Sequence, residues 1–291
     1  MAEASFFIGC AVWAYKDWIG DFYPAGSRPG DLLQLYSQRL TAVEGNTTFY
    51  SVPSETMVQR WAAETPASFR FCLKLPRFIT HQGQLSPRLP EAIAFLKRVA
   101  LLGDRLGPCL AQLPPSYSPA ALADLNSFIE RWPHQQVPLA VEVRHRDWFQ
   151  SSYQTQLNQL LASYKSGRAL LDSRPIYDCI ADGNRDPQLH SERRKPQVPL
   201  QPAVTADFSL IRYIGHPDLA YNQSYLQKWI PQLQQWLSQG TQIYFFVHCP
   251  IEAKSPAIAR HFYQLLQQQG IVRQPLPWQK ISPSPTQLSL F

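Results

Sequence analysis

The chain has 291 residues, within the range of a single large domain, and 45% of them are hydrophobic, enough for a sizeable core. A net charge of +6 and a pI near 9.1 permit a polyanionic partner without marking a nucleic-acid binder. No stretch of about 18 apolar residues is present, which excludes a spanning helix. The opening MAEASFFIGC lacks the basic and apolar regions of a secretory signal, so a cytoplasmic location is expected. The five cysteines (Cys10, Cys72, Cys109, Cys179 and Cys249) are scattered and form no CxxC pair. That argues against a disulfide framework or a structural zinc site and favours small core residues.

Eight apolar runs of strand length follow one another: FFIGCAVW, TAVEGNTTFY, FRFCLKL, GPCLAQLP, LAVEVR, ALLDSR, SLIRYIG and QIYFFVHCP. Helix-compatible stretches lie between most of them. Leu32–Leu40 follows Asp31 as an N-cap, and the stretch from Ser54 to Glu64 opens like a capping box. Leu89–Leu102, Pro119–Trp132, Ser151–Tyr164, Ser224–Leu237 and Ser255–Gln268 read similarly. Strands alternating with helices pair in parallel, and eight such units predict a single TIM-type (β/α)8 barrel over residues 1–275. A doubly wound open sheet is the alternative, weakened by the lack of a glycine-rich dinucleotide fingerprint after the first strand. After the sixth strand, Pro175–Ala206 is polar, proline-rich and without helical period, which predicts a long loop over the barrel mouth. Its basic cluster Arg193, Arg194 and Lys195 suits either solvent or an anion.

Side chains alternate along a strand, so the faces can be counted. A polar residue closes nearly every strand: Glu44 and Asn46, Lys74, Gln112, Glu142 and Arg144, Asp172, Arg212, and His248. Charges gathered at the C-terminal rim are either an internal ion-pair network or a pre-organised site, and the two readings are compatible. Glu44, Lys74, Glu142 and Asp172 are the candidate catalytic residues. Trp13, Tyr15, Asn46, His81, Gln112, Arg144, Arg212 and His248 are the candidate ligand contacts. Three cations, Lys74, Arg144 and Arg212, suit a phosphate or carboxylate. Two acids, Glu44 and Glu142, suit acid–base or nucleophilic chemistry, and a lysine beside acids suits a Schiff base. The metal candidates Glu44, Glu142, Asp172, His81, His145 and His248 show no ligand spacing such as HExxH, and no nucleotide-cofactor motif is present. The aromatic run Trp13, Tyr15, Trp18, Phe22 and Tyr23 reads equally as a wall for a ligand ring or as a small core of its own.

The segments GCAVWAYKDWIGDFYP, VEGNTTFYSVPS, FRFCLKLPRFITH, LGPCLAQLPPSY, AVEVRHRDWF and LIRYIGH together make the chain resemble the DUF72 (YecE-like) family. The resemblance runs from about Ile8 to Phe262 and implies a TIM-type barrel, with no settled activity. Lys74, Glu142 and Arg144 fit the family pattern. The chain departs from it at Gly9–Trp13, where Gly-Thr-Ser-Gly-Trp is usual, and at Phe246–Cys249, where Phe-Asn-Asn-His is common.

Residues 276–291 read as a flexible tail ending in Gln287, Leu288, Ser289, Leu290 and Phe291. This pentapeptide resembles the one by which bacterial replication and repair proteins dock on the sliding clamp. Three functions follow as expectations. The first is a DNA-associated phosphodiester-processing or DNA-binding protein recruited by the clamp, the second a small-molecule enzyme acting on a sugar or sugar phosphate. The third is a non-catalytic adaptor. The alternation of substrate classes leaves a hydrolase or an isomerase-like enzyme open.

Overall fold

Short runs rich in branched and aromatic residues become strands where their neighbours can cover both faces. The computed structural model describes residues 5–189 and 194–280. In chain order it contains β1 (Phe6–Cys10), α1 (Leu32–Ser37), β2 (Ala42–Gly45), α2 (Glu55–Glu64), β3 (Arg70–Leu73), α3 (Arg77–Thr80), α4 (Leu89–Val99) and β4 (Cys109–Gln112). Then follow α5 (Leu122–Glu130), β5 (Leu139–Glu142), α6 (Ser151–Ser163), β6 (Gly167–Asp172), α7 (Arg174–Ala181), β7 (Phe208–Ile214), α8 (Leu219–Ser238), β8 (Gln242–His248) and α9 (Ser255–Gln268).

All eight expected strands form, and each regular pairing is parallel. They make a six-stranded sheet in the order β1-β8-β7-β6-β5-β4 and a two-stranded sheet of β2 and β3. The result is an α/β protein with a curled parallel sheet. Where β1 meets β2, side chains take the place of a regular ladder. The Tyr36 hydroxyl accepts from the Cys10 N–H at 2.6 Å and donates to the Ala42 carbonyl at 3.0 Å. Thr41 Oγ1 accepts from the Ile8 N–H at 2.9 Å. Between β3 and β4 the links are single backbone bonds, from Gly107 N–H to the Phe71 carbonyl and from Leu75 N–H to the Leu110 carbonyl, both 2.9 Å.

The core has two layers. The larger cluster lies between strands and helices and includes Trp18, Phe22, Tyr23, Trp148, Phe245 and Phe262. A smaller one fills the inside of the curl, with Ala42, Cys72, Leu110, Ala140, Ala169, Leu210 and Phe246 among its members. This inner set fixes the polarity of everything above it, because the residue two places further along each strand faces the same way.

Several local expectations are revised. Ser54 caps α2 as anticipated, its Oγ accepting from the Met57 N–H at 3.2 Å, whereas Asp31 precedes α1 without a side-chain capping bond. The α8 helix begins five residues before the expected Ser224, because Asp218 Oδ1 accepts from the Ala220 N–H at 3.0 Å. The Pro175–Ala206 connection is not free of helix. Pro175 sits in the first turn of α7, where its missing N–H costs nothing. All five cysteines are buried and unpaired. The tail boundary read at Leu276 falls within a packed segment, since Leu276 is buried and the Trp278 ring meets Phe22 edge-on at 5.2 Å. Gln287, Leu288, Leu290 and Phe291 lie outside the described residues. No helix among the described residues is long and apolar enough to cross a membrane.

Candidate functional site

Two residues beyond the inner apolar layer, the same face turns polar on most strands. Ala42 is followed by Glu44, Cys72 by Lys74, Leu110 by Gln112, Ala140 by Glu142, Leu210 by Arg212 and Phe246 by His248. All six polar side chains are buried. Arg212 stands at their centre. Its Nε and Nη2 donate to Glu44 Oε2 and Oε1 at 2.7 and 2.9 Å, and its Nη1 donates to Glu142 Oε2 at 2.6 Å. Arg144 completes the chain, its Nε donating to Glu142 Oε1 and its Nη2 to Gln112 Oε1, both at 2.6 Å. Charges taken out of water are tolerated when paired and hydrogen-bonded in this way.

The pairing sets the proton affinities. Burial pushes the Glu44 carboxyl up, but Arg212 and then His248 outweigh it and hold Glu44 well below the ordinary carboxylate range. Burial likewise raises Glu142, and Arg212 with Arg144 brings it down to about 2. Burial works against the Arg212 charge, yet the two carboxylates raise its affinity for its proton. Burial lowers His248 to about 4, ahead of the opposing pull of Glu44. The neutral His248 ring therefore donates an Nε2–H hydrogen bond to Glu44 Oε2 at 3.2 Å rather than forming an ion pair. Both glutamates are ionised at neutral pH. An acid catalyst needs a carboxyl held protonated, so neither glutamate supplies one.

Lys74 behaves differently. Its Nζ lies 3.7 Å from the centroid of the Phe49 ring, and among the described residues its ammonium makes no hydrogen bond or ion pair. Burial first, then Arg212, lowers Lys74 to about 7, against the attraction of Glu44 and Glu142. Lys74 is thus an amine that changes charge near neutrality in front of two fixed carboxylates. His81 packs edge-on against the same Phe49 ring, with the two centroids 4.9 Å apart. Burial, with Lys74 next, lowers His81 to about 4, and its Nδ1 shares a 2.8 Å hydrogen bond with Thr80 Oγ1.

The other anticipated residues are placed as follows. Asn46 donates from Nδ2 to the Ala11 carbonyl at 3.0 Å, bracing the loop after β1. Trp13 packs edge-on against Trp61 at 5.2 Å, and Tyr15 tilts over Trp18 at 5.6 Å. Trp18, Phe22 and Tyr23 are buried in the larger core cluster and Trp13 and Tyr15 pack against it. This aromatic run therefore joins the main core rather than forming a wall for a ligand ring or a small core of its own. Asp172 does not join the ring. On β6 the inner-facing residues are Ala169 and Leu171, which puts Leu170 and Asp172 on the outer face. There Asp172 is held by Arg174 at 2.8 and 2.9 Å and by the Trp229 indole N–H at 2.8 Å.

Two residues near the site, Phe49 and Glu252, escaped sequence reasoning, and a third, Lys195, was read only as part of a basic run. Phe49 follows Glu44 in a 3-10 turn, where alternation no longer predicts direction. Lys195 comes over the mouth on the long connection, which is anchored there by the Tyr177 hydroxyl donating to the Lys195 carbonyl and by Gln188 Oε1 accepting from the Lys195 N–H at 2.7 Å. Burial lowers Lys195, whose charge is felt by Glu44, Arg212 and Glu252. Glu252, after β8, is raised by burial to about 7, and its Oε1 has no partner. The basic run at 193–195 signalled Lys195; nothing in the sequence singled out Glu252. Among the described residues no group of three or more His, Cys, Asp or Glu side chains is arranged to hold a metal ion.

The model of the family described as "Protein of unknown function DUF72" matches residues 7–281. The UPF0759 protein YecE of Escherichia coli K12 is 34% identical over 98% of the chain and 99% of its own length. The chain belongs to the DUF72 family. A second relative, the UPF0759 protein YunF of Bacillus subtilis, is 26% identical over 82% of the chain and 86% of its own length. Solved DUF72 structures share the fold. One from Thermotoga maritima matches with a TM-score of 0.69 at 19% identity, covering 90% of this chain and 99% of that one. One from Enterococcus faecalis gives 0.66 at 15% identity, covering 92% and 99%. These DUF72 names carry no activity, so the chemistry rests on the residues described above.

Proposed function

We propose that this DUF72 protein is a small-molecule enzyme acting on a phosphorylated or carboxylated, sugar-sized ligand at the strand ends. The two sheets act together as a TIM-type barrel, joined through Tyr36 and Thr41 on one side and through the β3–β4 backbone bonds on the other. The observation that carries the reading is Lys74, whose ammonium is unpaired among the described residues while Glu44 and Glu142 are already held by Arg212. Two carboxylates against Arg212 and Arg144 leave the cluster neutral, and Lys74 with Lys195 turns it positive toward an anion. Near neutrality Lys74 is also partly a free amine, suited to take a proton from carbon or to attack a carbonyl. Glu44 and Glu142 act through Arg212 and Arg144 as positioning residues.

A thermal-melting screen of sugar phosphates and sugar acids tests this. At least one class is expected to raise the melting temperature of the wild type by more than that of Lys74→Met. The methionine variant itself is expected to be more stable at pH 7. Folding presses Lys74 to release its proton, so the charged form costs stability below about 7, and this cost disappears as pH rises toward the ordinary lysine range. A wild type that responds to no anion, or a variant that responds equally, would sink the reading.

A second reading, of a DNA-associated protein recruited by the bacterial sliding clamp, rests on the resemblance of the terminal sequence Gln287, Leu288, Ser289, Leu290, Phe291 to a clamp-docking pentapeptide. Two leucines and a phenylalanine on a Pro/Ser tether suit apolar pockets of a partner. Fluorescence anisotropy is expected to show clamp binding that is lost when residues 287–291 are deleted. Equal binding by both chains, or none by the intact one, contradicts it.

A further inference from the structure

Away from the strand ends, a cavity of about 830 Å³ opens between the loop after β1, the end of α1 and the first half of α9. Two guanidiniums face it. Arg39 lies 5.3 Å and Arg260 4.8 Å from the centroid of the same Trp278 ring, and Arg39 also lies 5.5 Å from Phe22. Neither arginine has an ion-pair partner among the described residues, although the exposed Asp21 lines the same cavity. The Arg39 Nε is buried and has no acceptor among the described residues. Burial and the neighbouring Arg260 charge both weaken the hold of Arg39 on its proton. Two like charges kept over one indole, with an unused buried donor, are a costly arrangement in isolation and a favourable one around an oxyanion.

We propose that this cavity is a binding site for the phosphate group of a small phosphorylated ligand. A guanidinium presents its donors as a fork that matches phosphate oxygens, and two forks suit a doubly charged group better than one carboxylate. The Trp278 ring holds both side chains in place, which lowers the ordering cost of binding. The volume leaves room for the rest of a sugar- or nucleotide-sized molecule beyond the phosphate. This site is independent of the strand-end reading, since none of its residues belongs to the Arg212 network.

The test is an NMR titration of the full chain with inorganic phosphate, following the Trp278 indole N–H signal assigned through Trp278→Phe. A saturable shift is expected in the wild type and in Lys74→Met, which separates this cavity from any anion bound at the strand ends. Arg260→Gln, on an exposed side chain that leaves the fold intact, is expected to weaken that binding on the order of tenfold. Ribose 5-phosphate is expected to bind at least as tightly as phosphate. The proposal is overturned if the Trp278 signal does not move, if Arg260→Gln leaves the affinity unchanged, or if the phosphate ester is excluded while free phosphate binds.

Discussion

Replacing Arg212 with methionine is expected to lower the unfolding free energy at pH 7 by about 3–5 kcal/mol. The guanidinium is the shared partner of Glu44 and Glu142, both buried, and methionine fills its volume without its charge. Two carboxylates then remain in a dry environment with Arg144 and the neutral His248 as their hydrogen-bonding partners and Lys74 making no ion pair with them. The pH dependence follows from the sign of each shift. In the wild type both carboxyls titrate below their unfolded values, so their contribution is present above about pH 4.5 and is lost as pH falls through those lowered values, about 2 for Glu142. In the variant burial prevails and raises them, so stability declines as pH rises from about 4.5 through their raised values. Urea denaturation is therefore expected to show the smallest difference between the two proteins at about pH 2, and the full difference at about pH 7. A loss at pH 7 below about 1 kcal/mol would mean that Arg212 is not the group that neutralises the cluster.

The second large effect is expected at Gly9. A Cβ at this position would lie 1.8 Å from the Ala42 carbonyl oxygen and 3.0 Å from the Tyr36 hydroxyl. These are the groups that join β1 to β2, where Tyr36 bridges the Cys10 N–H and the Ala42 carbonyl. The obstacle is backbone, which cannot swing aside as a flexible side chain does. Gly9→Ala must separate the strands and break the bridge, at a cost of about 3 kcal/mol or more, the upper end of what overpacking causes. Chemical denaturation of this variant beside Gly20→Ala makes the cause visible. Gly20 has a positive φ but open space around it, so its loss reports backbone conformation alone. Equal losses at the two positions would contradict the role given to the β1–β2 junction.

The strand count, the parallel pairing and most of the polar ring were legible because strand alternation is local. Each of Glu44, Lys74, Gln112, Glu142, Arg212 and His248 follows an inward apolar residue at a spacing of two, and the fold adds only their convergence. Asp172 shows where that logic ends. Alternation groups it with Leu170, but only the neighbouring strands decide that Ala169 and Leu171 face inward. The split between β1 and β2 was invisible, since it depends on a hydroxyl from α1 reaching across to two backbone groups. Lys195 and Glu252 come from segments without periodicity, placed by the long connection and by the turn after β8. Trp278 was assigned to a tail on composition, and its packing against Phe22, Arg39 and Arg260 is a tertiary contact that composition does not encode.

The central claim is that Lys74 is an amine of near-neutral affinity standing before locked carboxylates. Its most direct test is an NMR titration of the Lys74 Nζ signal, assigned by its loss in Lys74→Met. A midpoint near 7 is expected, well apart from the exposed lysines. A Lys74 that keeps its proton up to the ordinary lysine range, about 10.4, would contradict the account. The amine would then be a fixed charge, and the site a place that binds anions without chemistry of its own.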